Sequence, residues 1–141
     1  MIAGLRTGSP ELLRPDLLSV CRLAPDAPWP QPPDDGSLFS ATSSGASSAS
    51  PADTERSLVC RQDLAPSGSR IESGWRALTV AGPLDFDLVG VLADLTTPLA
   101  RSGVSVFVLS TCDTDHVLVR DEDVDRAVDA LAAAGHLVSR A

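Results

Sequence analysis

The chain contains no lysine and no tyrosine, and only 4% of its residues are aromatic. Without lysine there is no side-chain amine to form a Schiff base, and without tyrosine there are few rings on which nucleobases could stack. Charge disfavours nucleic acid a second time. Eleven basic residues against nineteen acidic ones leave a formal net charge of −8, and the arginines are scattered singly instead of clustering against phosphates. Cysteine is sparse as well. Cys21, Cys60 and Cys112 lie far apart with no CxxC spacing, so they imply neither a zinc site nor a disulfide framework and read as small buried or half-buried thiols. No apolar run approaches the roughly 20 residues that span a bilayer, and Arg6, Glu11, Arg14 and Asp16 interrupt the stretch a signal peptide would need. A cytoplasmic protein without membrane contact is expected, with no cofactor and no metal.

What is present is an ordinary apolar fraction of 43% in 141 residues, enough for one compact domain or two small ones. Residues 1–16 hold Gly4, Gly8, Pro10 and Pro15 without periodicity and read as a loose arm that carries no chemistry. Residues 17–73 form a smaller half with flexible Ser- and Pro-rich loops. In it Leu17 to Leu23 predicts a strand, ended by Pro25, Pro28, Pro30, Pro32 and Pro33, which cannot donate to a ladder. Ser37 to Thr42 and Ser57 to Cys60 predict two further strands. Between them lie a small polar spacer, Ser43 to Pro51, and a single helical turn over Ala52 to Arg56 capped by Asp53.

From Trp75 the pattern sharpens. Trp75, Ala77, Thr79 and Ala81 alternate with their neighbours as a half-buried strand does, and Gly82-Pro83 ends it. After Asp85, residues Leu88, Val89, Leu92, Leu95 and Leu99 recur at three- and four-residue spacings, predicting a helix that Gly103 stops, with Pro98 capping or kinking its last turn. Val104 to Leu109 is β-branched and continuous and predicts a central strand. Ser110 to Asp115 turns the chain, and His116 to Arg120 completes a hairpin. Asp121 starts a second helix with acids in its first turn and with Val124, Ala127, Val128, Leu131 and Ala132 on its buried face. Gly135 stops it, and His136 to Val138 is the last strand. Strand, helix, strand, strand, helix, strand places both helices on one face of a mostly antiparallel sheet. Residues 74–141 are therefore expected to be an α+β, ferredoxin-like βαββαβ domain.

Several blocks in this half, taken in order, resemble the ACT family, in particular bacterial relatives of the CASTOR-type arginine sensor. They are Gly82-Pro83-Leu84-Asp85-Phe86, Val89-Gly90-Val91-Leu92, Pro98-Leu99-Ala100, Val106-Phe107-Val108-Leu109-Ser110-Thr111, Asp113-Thr114-Asp115 and Val117-Leu118-Val119. Ser57-Leu58-Val59-Cys60 resembles the family's Ser-x-Val-Cys strand and implies that residues 17–73 are a degenerate ACT-like half packed against the first. The Ser43 to Ser50 insertion and the lack of a long helix depart from the family pattern.

The resemblance implies a non-enzymatic regulatory protein that binds a small molecule, an amino acid, and pairs as a homodimer. The alternative is an ACT-fold interaction or scaffold module that has lost its ligand. The ligand residues it implies are Gly82, Pro83, Leu84, Asp85 and Phe86, together with Ser110, Thr111, Cys112, Asp113, Thr114 and Asp115. Physical chemistry supports that mapping: amides at a helix start suit a carboxylate, while Asp113 or Asp115 can accept from an ammonium or guanidinium group.

Simpler readings stand beside it. Gly82-Pro83 serves equally as a strand-to-helix turn, and Asp85 as the helix N-cap. Paired carboxylates at Asp113 and Asp115 can hold a divalent cation in a glycosyltransferase or phosphatase, but the phosphatase pattern needs a lysine this chain does not have. Cys112 with His116 lacks a third group to orient the imidazole. His136 reads as a solvated or capping residue, Trp75 and Phe86 as core anchors, and Asp121 to Asp125 as a solvated helix start.

Overall fold

A computed structural model describes residues 11–45 and 54–140. The elements in chain order are strands β1 (Glu11–Leu13), β2 (Leu18–Leu23), β3 (Ser40–Ser44), β4 (Glu55–Arg61) and β5 (Arg70–Val80), then helix α1 (Val91–Arg101), strands β6 (Val106–Ser110) and β7 (Asp115–Arg120), helix α2 (Val124–Ala133) and strand β8 (Val138–Arg140). They divide into two compact units, one of residues 16–45 and 54–75, the other of residues 11–15 and 76–140, so β5 changes unit after Trp75.

In the N-terminal unit β4 pairs antiparallel with both β3 and β2, and β2 pairs antiparallel with the first part of β5. Cys21, Leu23, Leu58 and Cys60 form its small core, with Trp29 and Phe39 packed against them. Arg56, only 8% exposed, lies 4.1 Å from the Trp29 ring centroid and donates to the carbonyls of Ala24, Pro25 and Ala27, so its charge is satisfied while its stem is buried. The proline cluster is loop, as its missing donors require. Two local expectations shift here. The strand expected at Ser37 to Thr42 runs from Ser40 to Ser44, into the polar spacer, because its ladder to β4 is made by backbone groups and needs no apolar side chains. Of the helical turn expected at Ala52 to Arg56, Glu55 and Arg56 belong to β4, and Ala52 and Asp53 lie outside the described residues.

In the other unit the order β5–α1–β6–β7–α2–β8 is the expected βαββαβ. One strand is added to it. Glu11–Leu13, expected in a loose arm, forms β1, antiparallel to the end of β5 and parallel to β8, so it stands between the first and last strands of the βαββαβ unit. Three residues are too few to show a period, and it is the two neighbouring backbones that make them a strand. Residues 1–10 of the expected arm lie outside the described residues. β6 pairs with β7 alone among the described residues, making it an edge, where the continuous apolar run had pointed to a central strand.

Both helices cover one sheet face. Val91, Leu95 and Leu99 of α1 and Val124, Ala127 and Leu131 of α2 are buried together with Leu13, Leu78, Val80, Val117 and Val119, the four- and three-residue spacings giving each helix one apolar stripe. Ala132, expected on that stripe, is exposed. Each fully buried leucine contributes about 1.5–3 kcal/mol of transfer free energy. Both helices end in the same way. Gly103 (φ 71°) and Gly135 (φ 92°) take the left-handed conformation, and the amides two residues past the cap, of Val104 and His136, bond the carbonyls of Leu99 and Leu131 at 2.9 and 3.0 Å.

The helix expected after Asp85 begins later, at Val91, with Gly90 (φ 84°) at its N-cap. Asp85 is therefore no cap. Leu88 and Val89 continued the helical spacing in the sequence but are 44% and 70% exposed on a loop. Phe86, expected in the core, is 84% exposed, whereas Trp75 is buried as expected. The last strand starts at Val138, not His136. His136 is 7% exposed and not solvated.

Candidate functional site

The end of β5 with the loop after it and the β6–β7 turn are tied together by one backbone and one side-chain hydrogen bond. Leu84 N–H donates to the Asp113 carbonyl at 2.7 Å, and Thr114 Oγ1 donates to the Val80 carbonyl at 2.5 Å. Within the turn, the Thr111 amide bonds the Thr114 carbonyl at 2.9 Å, and Ser110 Oγ donates to Asp115 Oδ1 at 2.6 Å, a charge-assisted contact that sets the carboxylate. Gly82 belongs to this junction by its lack of a side chain: a Cβ there would stand 2.8 Å from the Asp113 carbonyl oxygen and 3.2 Å from Thr114 Cβ.

These contacts leave a cleft of about 410 Å³ between the loop after β5, the start of α1 and the β6–β7 turn. Of the residues singled out from the sequence, Leu84, Asp85 and Phe86 line one side and Ser110 to Asp115 another. Gly82 and the exposed Pro83 do not line it, and Gly82 instead sets the spacing of its walls. Sequence reasoning missed Leu88 and the helix start Gly90–Ala93 as lining. The signal available for them was Gly90, the one glycine in the apolar run, which marks where the helix begins.

The electrostatics of the cleft are asymmetric. The first helical amide to find an intrahelical partner is that of Asp94, bonded to the Gly90 carbonyl at 2.9 Å, and among the described residues no side chain caps α1. The amides of Val91, Leu92 and Ala93 are therefore unused by the helix where they border the cleft, and the helix dipole adds partial positive charge there. Asp85, Asp113 and Asp115 bring three carboxylates to the cleft, and among the described residues no basic side chain lines it. Such a surface suits a molecule with a carboxylate at one end and a cation at the other. Among the described residues no group of three His, Cys, Asp or Glu is placed to hold a metal ion. His116 does not face Cys112 as a base: it is buried, its Nδ1 is 2.9 Å from Thr79 Oγ1, and burial followed by the charge of Arg14 lowers its pKa, opposed by Asp115.

A sheet with both helices on one face and a cleft at the loop before the first helix define a small α+β domain of the ferredoxin-like plan. Residues 70–133 match the ACT domain family. The chain is 38% identical over 58 residues to the cytosolic arginine sensor for mTORC1 subunit 1 of Rattus norvegicus, and 34% identical over the same length to that of Homo sapiens. Those 58 residues are 40% of this chain and 18% of either sensor. Over nearly its whole length, 94% of this chain and 93% of the other, it is similar to a protein of known crystal structure from Agrobacterium tumefaciens, with 32% identity and a TM-score of 0.79. The ligand-free regulatory subunit of aspartate kinase from Thermus thermophilus shares the fold at 13% identity, with a TM-score of 0.59 over 84% of this chain and 92% of that one. No helix among the described residues is long and apolar enough to cross a membrane.

Proposed function

We propose that this protein is a cytoplasmic, non-enzymatic regulatory module that binds an amino acid in the cleft between the β5–α1 loop and the β6–β7 turn. The observation that carries the reading is the pairing, across one cleft, of unused first-turn amides of α1 with the carboxylates of Asp113 and Asp115. The amides take the ligand carboxylate, and Asp115, already oriented by Ser110, takes its ammonium or a cationic side chain. Gly82 and Pro83 shape the loop, Leu84 and Phe86 supply apolar contact, and Thr111, Cys112 and Thr114 form the turn side. Kinship with an arginine sensor and the shared fold of a kinase regulatory subunit support a regulatory role, in which the ligand shifts an equilibrium between arrangements of units or of two paired copies. Arginine itself is not assumed, because only part of the sensor is matched.

A second reading has its own observation. Phe86, Leu88 and Val89 are exposed apolar residues on one loop, which suits a protein-interaction module that has lost its ligand.

The full chain is to be tested by thermal shift against each common amino acid at millimolar concentration. A ligand present at about 100 times its Kd stabilises by about 2.7 kcal/mol, a rise of several degrees. A selective rise that Asp115→Ala abolishes, with the variant still folded, is expected. No rise with any amino acid sinks the binding reading in favour of the interaction module.

A further inference from the structure

Pro98 lies inside α1 and carries no N–H. In a regular helix the amide of residue 98 would bond the carbonyl of residue 94, so the Asp94 carbonyl is left without its helical partner. His136, from the connection between α2 and β8, supplies the missing donor: its Nε2 is 3.1 Å from the Asp94 oxygen. A carbonyl only accepts, which places a proton on Nε2. The other ring nitrogen, Nδ1, is 3.2 Å from Glu11 Oε1 on β1, a contact that needs one more proton, on Nδ1 or on the carboxyl. The two side chains are 4% and 0% exposed, so the contact is made without competing water.

Asp94 is where this chain of contacts meets the cleft. It follows Ala93, the last residue of α1 to line the cleft, and its own amide is held by the Gly90 carbonyl at 2.9 Å. We propose that His136 is a positioning residue for the cleft: standing in for the amide Pro98 lacks, it fixes the first turn of α1 and, through Glu11, joins that turn to strand β1. Three segments distant in sequence then set the direction of the amides at Val91 to Ala93. Loosening β1 loosens the cleft wall. This deepens the binding reading above, and the test uses the ligand-free full chain, so that the absence of an amino-acid ligand has no bearing on it.

The experiment is amide hydrogen exchange by NMR. His136→Asn keeps a polar group towards Glu11 but withdraws the donor from Asp94. It is expected to speed exchange of the Asp94 and Leu95 amides about tenfold, the equivalent of one lost hydrogen bond, with Val117 and Val119 unchanged. His136→Gln, whose amide reaches the Nε2 position, restores most of the protection. Pro98→Ala returns an N–H to the helix, so adding His136→Asn in that background changes the same amides by less than about twofold. Equal acceleration in both backgrounds, acceleration in neither, or acceleration spread to Val117 and Val119 overturns the assignment. Should His136→Asn fold only when combined with Pro98→Ala, that suppression is the expected result, and failure to fold in both backgrounds counts against it.

Discussion

The Asp113 carbonyl oxygen stands 2.8 Å from where a Cβ would project from Gly82, and the same oxygen accepts the Leu84 amide at 2.7 Å. One atom thus fixes the distance between two cleft walls. Gly82→Ala has to push backbone against backbone, and about 1–3 kcal/mol of stability should be lost in urea denaturation. A loss under about 0.5 kcal/mol would mean that the walls move apart freely.

Thiol labelling separates the cysteines. Cys21 and Cys60 are buried, and burial first, with Cys21 adding to it, pushes the Cys60 thiol up to about 12, while the Cys21 thiol is raised by the same desolvation. Cys112 is exposed at the cleft. A thiol reagent near neutral pH should modify Cys112 alone in the native protein and all three cysteines after unfolding. An amino acid that fills the cleft should slow the native reaction. Rapid native modification of Cys60 would contradict its burial.

His116 gives stability a pH dependence. Its folded-state pKa lies below the ordinary value of 6.5, chiefly through burial and then Arg14. The folded state therefore holds the imidazole neutral, and the contribution is complete above pH 6.5 and lost as pH falls through the lowered value. Denaturation of His116→Gln from pH 7 to 5 should show a shallower fall in stability than the parent chain. Parallel curves would remove His116 as the source.

Leu99 and Phe86 lie on either side of the late start of α1. Leu99 is 0% exposed and Phe86 84%. Leu99→Ala should cost about 2–5 kcal/mol, whereas Phe86→Ala should stay within about 0.5 kcal/mol. If Phe86→Ala costs as much as Leu99→Ala, the loop is anchored in the core after all.

Much of this was legible because it is local. The alternation after Trp75, the stripe Leu95–Leu99 and the glycine stop of α2 each follow from neighbours a few residues apart, whereas Asp121–Asp123, expected as the start of that helix, form a 3-10 turn ahead of Val124. The two glycine stops were read correctly because the left-handed cap is a property of one residue. The start of α1 was misread because Leu88 and Val89 keep the helical spacing while facing solvent, and spacing carries no information about which side the rest of the chain will cover.

Periodicity and turn residues determined the βαββαβ order, and the resemblance of the Gly82–Phe86 and Ser110–Asp115 blocks to the ACT family pointed to the two segments that flank the cleft. Only the tertiary structure decided that Glu11–Leu13 is a strand, that His136 is buried against it, and that Gly90 to Ala93 line the cleft. These features depend on partners far apart in sequence. Glu11 and His136 are separated by 125 positions, and neither residue carries a local sign of the other. A short strand and a buried polar pair exist because distant backbone and side chains satisfy them, and that requirement is met only once the chain has folded.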